Sequence, residues 1–283
     1  MNEKITLNNG IEIPSIGFGV FQVENDGPTY NAVLQALKDG YRHIDTASAY
    51  FNESDVGKAV KDSGIERSEI FITSKLWLQD YGYENAKKGI EESLRKLDTD
   101  YIDLYLLHQP YGDYEGAWKA LEEAYKEGKL KAIGISNVTV NLWNKFKDYF
   151  TIMPTVNQVE FNPFVQQKEL RKIMEENGIK LEAYFPLGHG NKDLLGNETI
   201  VSLANKYNKN PGQIILRWIT QDGVIALPKS TNPQRIQGNI DIFDFELTEE
   251  EMKSIYALDT GKVTHDPEDP SVEPRLMTLK VHD

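Results

Sequence analysis

Hydrophobic and polar positions alternate between two patterns along most of the chain. Short runs rich in β-branched and apolar residues are each followed by a turn and then by a segment with apolar residues at helical spacing. The short runs occupy residues 15–20, 42–46, 70–75, 101–108, 130–136, 155–160, 180–184 and 224–227. They predict eight strands, most of them buried.

The segments between the runs predict amphipathic helices. Pro28 begins the first, which places Val33 and Leu37 on one face and ends at Gly40. Asn52 is expected to cap the second helix through its side chain. Later helices are predicted around residues 86–97, 118–128, 170–178, 214–218 and 248–258.

Eight β–α units in one chain favour the α/β class and a (β/α)₈ barrel of the TIM type, at about 35 residues per unit. A doubly wound open sheet is the alternative, and it usually carries a glycine-rich phosphate turn after its first strand. Residues 17–22 contain only two of the three glycines of that fingerprint and lead into a polar loop. No linker or break in composition interrupts the chain, so residues 1–283 are expected to form a single barrel domain.

Two segments are additional to the barrel. Residues 5–7 and 11–13 flank Asn9-Gly10, a strong hairpin signal, and predict a β-hairpin that closes the N-terminal end of the barrel. The proline-rich stretch 266–274 predicts a C-terminal substrate loop.

Composition narrows the possible partners. The chain has 31 basic and 44 acidic residues, a net charge of −13, which argues against nucleic acid or an anionic membrane as a partner. It contains no cysteine, which excludes disulfides, thiolate nucleophiles and iron–sulfur clusters, and no metal site is expected.

Without a signal-like segment or an apolar run of roughly 20 residues, a cytoplasmic protein is expected. No heptad pattern is visible, so we expect a monomer.

Candidate chemistry lies where the predicted strands end, which is the active-site end of barrel enzymes. Asp45, Lys75 and His108 end the second, third and fourth strands, and Tyr50 follows in the loop after the second. Any one of these residues could be an ordinary solvated or ion-paired rim residue. Their occurrence on adjacent strands favours a shared active site.

Together these side chains can protonate a carbonyl oxygen. A tyrosine hydroxyl with a pKa near 10 is a weak acid, and a lysine at ~4 Å would lower that pKa by about 3 units before burial and Asp45 oppose the shift. Asp45 would keep Lys75 charged, and a neutral His108 could orient the carbonyl. No side chain supplies a hydride, so a nicotinamide cofactor is required. A Schiff-base aldolase with Lys75 as nucleophile is the alternative enzyme.

These residues lie in stretches that resemble the aldo-keto reductase family over essentially the whole chain. The sequence RHIDTASAY at 42–50 and TSKLW at 73–77 belong to this resemblance. Further matching stretches are 17–21, 101–108, 134–137, 157–158 and 227–230. In these stretches the sequence resembles the bacterial branch of 2,5-diketo-gluconate and methylglyoxal reductases.

The resemblance implies NADPH-dependent reduction of small aldehydes, ketones and dicarbonyls to alcohols. Tyr50 would be the general acid, assisted by Lys75 and Asp45, with His108 orienting the carbonyl. The implied coenzyme-binding residues are Ser136, Asn137 and Gln158 at the carboxamide, Tyr184 against the ring, Lys229, Ser230 and Arg235 at the 2′-phosphate, and also Leu187, Thr231 and Asn239. Two cations beside a hydroxyl at a helix start suit a phosphate and favour NADPH over NADH.

Aromatic residues are expected to form the substrate pocket. Phe21, Trp77 and Tyr111 would line the mouth, which suits a small carbonyl compound. A non-catalytic NADPH-binding regulatory subunit on the same fold remains an alternative.

The sequence departs from the family pattern at three positions. Phe185 stands where a serine is common, Gly238 stands where a glutamate often contacts adenine, and His189 has no assigned role.

Overall fold

The eight predicted strands form one parallel sheet in the computed structural model, which describes residues 3–282. Each strand pairs with the next along the chain, as expected when helices connect consecutive parallel strands. The strands are β3 (Phe18–Gly19), β4 (His43–Asp45), β5 (Phe71–Leu76), β6 (Ile102–Leu107), β7 (Leu130–Ser136), β8 (Val156–Glu160), β9 (Lys180–Tyr184) and β10 (Ile225–Ala226).

The first and last strands of this sheet meet and close it into a barrel. Ile16 forms a parallel bridge with Ala226, and the amide of Gly17 donates to the Ala226 carbonyl at 2.8 Å. The Ala226 amide in turn donates to the carbonyl of Ser15 at 2.9 Å. The prediction of a (β/α)₈ barrel is therefore confirmed, and the open-sheet alternative is excluded.

A hairpin closes the N-terminal end of the barrel, as predicted. It consists of β1 (Lys4–Thr6) and β2 (Glu12–Pro14), which pair antiparallel. Leu7 and Ile13 from this hairpin belong to one apolar cluster with side chains of the barrel strands: Phe71, Leu104, Leu106, Ala132, Val156 and Ile225. The hairpin thus covers this end of the barrel with apolar contacts.

Most of the helices surround the barrel with their apolar faces inward, and the last belongs to the C-terminal segment. They are α1 (Pro28–Lys38), α2 (Glu53–Asp62), α3 (Tyr83–Leu97), α4 (Tyr114–Lys126), α5 (Val140–Phe146), α6 (Lys168–Glu176), α7 (Lys192–Leu195), α8 (Glu198–Tyr207), α9 (Pro211–Gln221), α10 (Pro233–Ile240), α11 (Glu249–Tyr256) and α12 (Val272–Met277). Val33 and Leu37 of α1 are buried as the periodicity predicts. Within residues 3–282, no helix has the length and apolarity needed to cross a membrane.

The C-terminal segment lies across the carboxyl end of the barrel. Thr264 donates to the Glu160 carboxylate from its amide and from its hydroxyl, both at 2.7 Å. Trp77 donates its indole N–H to the carbonyl of Leu279 at 2.9 Å. Contacts at both ends of the segment therefore hold it over the mouth.

The packing of α2 against the end of α3 leads to a first prediction. A Cβ added at Gly57 would lie 2.4 Å from the carbonyl oxygen of Leu97, a backbone atom with little freedom to move. We expect Gly57→Ala to lower the free energy of unfolding by about 1–3 kcal/mol, although alanine is the better helix former.

The matched control is Gly238→Ala in α10, where the nearest atom to the added Cβ is 3.8 Å away. It should leave the stability unchanged or raise it by up to about 1 kcal/mol. Chemical denaturation measures both variants. Equal stabilities of Gly57→Ala and the starting protein would contradict this account of the α2–α3 contact.

Candidate active site

A cavity of about 670 Å³ opens at the carboxyl end of the barrel strands. Most of the predicted site residues line it: Phe21, Asp45, Tyr50, Trp77, His108, Tyr111, Ser136, Asn137, Gln158, Tyr184, Leu187, Lys229, Ser230, Thr231 and Arg235. Two predicted residues do not. Lys75 is completely buried behind the cavity wall, and Asn239 is buried on α10.

Lys75 is held in place by three short contacts. Its Nζ lies 2.7 and 2.9 Å from the two carboxylate oxygens of Asp45 and donates to the carbonyl of Thr46 at 2.8 Å. The hydroxyl of Tyr50 is 3.4 Å from the same nitrogen. Burial alone would lower the pKa of Lys75, but Asp45 and Tyr50 raise it above its ordinary value. The buried ammonium therefore stays charged.

The Tyr50 hydroxyl remains protonated in this setting. Burial raises the pKa of Tyr50 above its ordinary value, and the positive charge of Lys75 acts in the opposite direction. The predicted effect of the lysine is thus present, but burial outweighs it. A phenol kept protonated beside a fixed cation is suited to donate its proton.

The loop that carries Tyr50 depends on Asn52, whose predicted role is wrong. Asn52 precedes α2 but makes no side-chain capping hydrogen bond. Its amide instead donates to the carbonyls of Val20 and Val23 at 3.1 and 3.2 Å, and its oxygen accepts from the Thr46 hydroxyl at 2.8 Å. The hydroxyl of Thr46 therefore occupies the Asn52 oxygen that would otherwise accept from the amides at the start of the helix. The side chain links the loop after β3 to the loop after β4.

His108 lies between two aromatic rings on the cavity wall. Its ring meets those of Tyr50 and Trp77 edge-on, with centroids 5.5 and 5.1 Å apart. Burial and the charge of Lys75 hold the pKa of His108 well below its ordinary value. The imidazole is therefore neutral at pH 7.

A hydrogen-bonded group of polar side chains lies on or just after β7, β8 and β9. Ser136 donates to the carbonyl of Gln158 at 2.9 Å, and the Tyr184 hydroxyl donates to the side-chain oxygen of Asn137 at 2.8 Å. The amide nitrogen of Gln158 donates to Asp45 at 2.9 Å. The residues predicted to contact a coenzyme are thus connected to those predicted to be catalytic.

Basic residues lie at the other side of the cavity, where α10 begins. Arg235 donates from Nε to the hydroxyl of Ser230 at 3.2 Å. Lys229 and Arg235 are exposed, and neither forms a salt bridge within the part of the chain that the structure describes. Two uncompensated cations beside a hydroxyl suit a phosphate group. Over the same residues, no cluster of three or more histidine, aspartate or glutamate side chains could hold a metal ion.

Several cavity residues were missed by reasoning from the sequence. His265, Arg275, Leu276 and Leu279 of the C-terminal segment line the cavity, and the only signal for them was the proline-rich composition of that segment. Phe185, noted as a departure from the family pattern, and His189, which had no assigned role, also line the cavity, with ring centroids 4.8 Å apart. Both adopt positive φ angles, of 50° and 55°, in a tight loop after β9.

Comparisons with known proteins agree with this geometry. Residues 15–260 match the profile of the Aldo/keto reductase family. A glyoxal reductase from Bacillus subtilis is 49% identical over 259 residues, which cover 91% of this chain and 93% of that protein.

Two solved structures extend the similarity to three dimensions. An aldo-keto reductase from a Medee basin deep-sea metagenome library has a TM-score of 0.91 at 45% identity, covering 94% of this chain and 99% of that one. An aldo-keto reductase from Bombyx mori, solved in complex with NADP, has a TM-score of 0.87 at 35% identity, covering 94% and 95%. The chain belongs to the aldo/keto reductase family, and the predicted family and enzyme class, an oxidoreductase, are confirmed.

The environment of Asn52 leads to a prediction for stability. Asn52→Ala leaves the buried Thr46 hydroxyl without its acceptor and removes one of the donors to each of two buried carbonyls, so we expect the free energy of unfolding to fall by about 2–4 kcal/mol. The control is Asn197→Ala, which removes one capping bond to the amide of Thr199 and should cost about 1 kcal/mol. Urea denaturation compares them. Equal costs for the two variants would mean that the Asn52 network contributes nothing beyond an ordinary cap.

Proposed function

We propose that this chain reduces small aldehydes and dicarbonyl compounds, glyoxal among them, to alcohols with NADPH as coenzyme. The observation that carries the proposal is the Lys75 ammonium, paired with Asp45 and 3.4 Å from the Tyr50 hydroxyl behind the wall of the cavity. Further support comes from the glyoxal reductase relative and from the family member solved with NADP.

The residues that line the cavity suit NADPH. Gln158 has its amide nitrogen occupied by carboxyl groups, which leaves its carbonyl oxygen as an acceptor for a carboxamide. Ser136, Asn137 and the ring of Tyr184 would complete the nicotinamide site. Lys229, Ser230 and Arg235 would hold the 2′-phosphate. A bound coenzyme is the source of the hydride, which no side chain here can supply.

The protein side chains then handle the proton. Tyr50 donates its phenolic proton to the carbonyl oxygen of the substrate, and the nearby Lys75 ammonium stabilises the phenolate that remains. Asp45 keeps Lys75 charged and aimed at Tyr50. A neutral His108 orients the carbonyl by a hydrogen bond.

Aromatic side chains restrict the substrate to a small molecule. Trp77 and Tyr111 are buried to more than nine-tenths and are fixed by hydrogen bonds to the C-terminal segment, Trp77 to Leu279 and Tyr111 to Pro267. Phe21 is more exposed and packs against Tyr50, with ring centroids 5.0 Å apart. Such a wall favours compact carbonyl compounds over long, charged ones.

The alternatives are less consistent with the geometry. A Schiff-base aldolase needs a neutral lysine that reaches the substrate, whereas Lys75 is fully buried and Asp45 and Tyr50 raise its pKa. A regulatory subunit would have no need for the complete set of Tyr50, Lys75, Asp45 and His108.

Fluorescence titration with NADPH and with NADH, followed by addition of glyoxal or methylglyoxal, tests the proposal. Tighter binding of NADPH and its oxidation on addition of the aldehyde are expected. Binding without oxidation of NADPH by any small carbonyl compound would favour the regulatory subunit.

The role of Tyr50 leads to a prediction for catalysis. Tyr50→Phe removes the proton donor and keeps the ring, so kcat should fall by about 10²–10⁴-fold. The Kd for NADPH should stay within about twofold, because the hydroxyl is not part of the coenzyme site. Steady-state kinetics and fluorescence titration measure the two quantities. A variant with unchanged kcat would rule out Tyr50 as the acid.

The basic residues near α10 lead to a prediction for coenzyme choice. Lys229→Ala and Arg235→Ala each remove a charged partner of a 2′-phosphate and should raise the Kd for NADPH by about tenfold or more, with little effect on NADH. Lys192→Ala is the control, because Lys192 does not line the cavity. If both coenzymes were weakened equally, these residues would not recognise the 2′-phosphate.

A further inference from the structure

One buried carboxyl group near the site takes no part in the proposed mechanism. Glu182 lies in the middle of β9, is completely buried, and pairs in register with Gln158 of the neighbouring strand. A charged residue type inside an otherwise apolar barrel strand requires a partner or a proton.

Glu182 shares a hydrogen-bond donor with Asp45. The amide nitrogen of Gln158 donates to Oε2 of Glu182 at 2.7 Å and to Oδ2 of Asp45 at 2.9 Å. The other oxygen of Glu182 has no hydrogen-bond partner and lies 3.8 Å from Nε2 of His43. Because Asp45 is ionised by its pairing with Lys75 and can only accept, the amide of Gln158 must point its nitrogen toward it, and the same nitrogen faces Glu182.

The charges around Glu182 leave no cation for it. The titratable groups that face it are His43 and Asp45 of β4, Lys75 of β5 and Tyr50. Lys75 is already paired with Asp45, and burial and Lys75 lower the pKa of His43 to about 3, so His43 is neutral. Burial and the charge of Asp45 raise the pKa of Glu182 to about 8.

We propose that Glu182 is a positioning residue for the reduction. As a neutral carboxylic acid it shares the Gln158 amide nitrogen with Asp45, and so it holds Gln158 and Asp45 in their working orientation. This inference rests on the proposed function for its kinetic consequences. The hydrogen bonds of Glu182 and the test of its protonation do not depend on that function.

The proposal has a consequence in alkaline solution. Ionised Glu182 would add a second negative charge beside the single Lys75 ammonium and would raise the pKa of Tyr50, which makes Tyr50 a weaker acid. Two carboxylates would also repel each other across the shared nitrogen. The rate of reduction should therefore fall as Glu182 loses its proton.

Glu182→Gln is the informative variant, since glutamine keeps an acceptor for Gln158 and cannot ionise. At pH 7 its kcat/KM for glyoxal should lie within about twofold of the starting protein. The alkaline fall in kcat/KM should begin about half a pH unit or more higher. Superimposable pH profiles would overturn the proposal.

Glu182→Leu removes the acceptor as well as the charge. The Kd for NADPH should rise at least about fivefold, because the Gln158 amide loses one of its two fixed partners. Glu182→Gln should restore the Kd to within about twofold. Equal affinities in the two variants would mean that the hydrogen bond does not position Gln158.

Infrared spectroscopy and thermal melting test whether Glu182 is protonated, and neither measurement depends on catalysis. A protonated-carboxyl band should be present in the starting protein at pH 7, disappear above pH 8 to 9, and be missing in Glu182→Gln. Because the pKa is raised in the folded state, the stability tied to this proton is full in acid and is lost as pH rises toward about 8. Relative to the starting protein, Glu182→Gln should therefore gain melting temperature between about pH 4.5 and about pH 8.

The matched control is Glu122→Gln. Glu122 is also buried, but it accepts hydrogen bonds from Trp118 at 2.8 Å and from the Ile152 amide at 2.7 Å, far from the cavity. Glu122→Gln should lower stability without shifting the pH profile of kcat/KM.

An infrared spectrum of the starting protein that lacks the protonated-carboxyl band at pH 7 would overturn the proposal. Failure of the starting protein to oxidise NADPH would instead overturn the proposed function.

Discussion

The buried ion pair between Lys75 and Asp45 constrains the carboxyl end of the barrel. Asp45 of β4 pairs in register with Thr73 of β5. Lys75 lies two residues after Thr73 on β5, so its side chain is on the same face of the sheet. Removing one partner of a buried pair typically costs about 3–5 kcal/mol, because the other charge is left without compensation. The Thr46 carbonyl supplies the third acceptor that a buried ammonium needs.

Other residues of the site are positioned by contacts with Lys75 or Asp45. Tyr50 points its hydroxyl at the ammonium because Ser48 donates to the Lys75 carbonyl at 2.9 Å and fixes the turn. On the other side, Asp45 accepts from Gln158 and so connects to β8 and β9. The hairpin at the opposite end packs apolar residues against the barrel strands and carries none of these site residues.

Local sequence patterns predicted much of this arrangement. Strand runs such as 70–75 and 180–184 are recognisable from composition, and parallel strands bring their ends to one side, so Asp45, Lys75 and His108 could be assigned to one site. Asn52 and Glu182 could not be interpreted in the same way, because their partners lie on segments distant in the chain. Arg275 and Leu276 reach the cavity only through the path of the C-terminal segment. The roles of individual residues, the single-domain organisation and the monomeric state stay predictions.

The central claim is that the buried lysine supports a proton-donating tyrosine during hydride reduction and is not itself a nucleophile. Product analysis with NADPH deuterated at the transferred position of the nicotinamide tests it most directly. The account predicts that the alcohol formed from glyoxal carries one deuterium on carbon and that borohydride treatment adds no mass at Lys75. An unlabelled product, or a reduced adduct at Lys75, would contradict it.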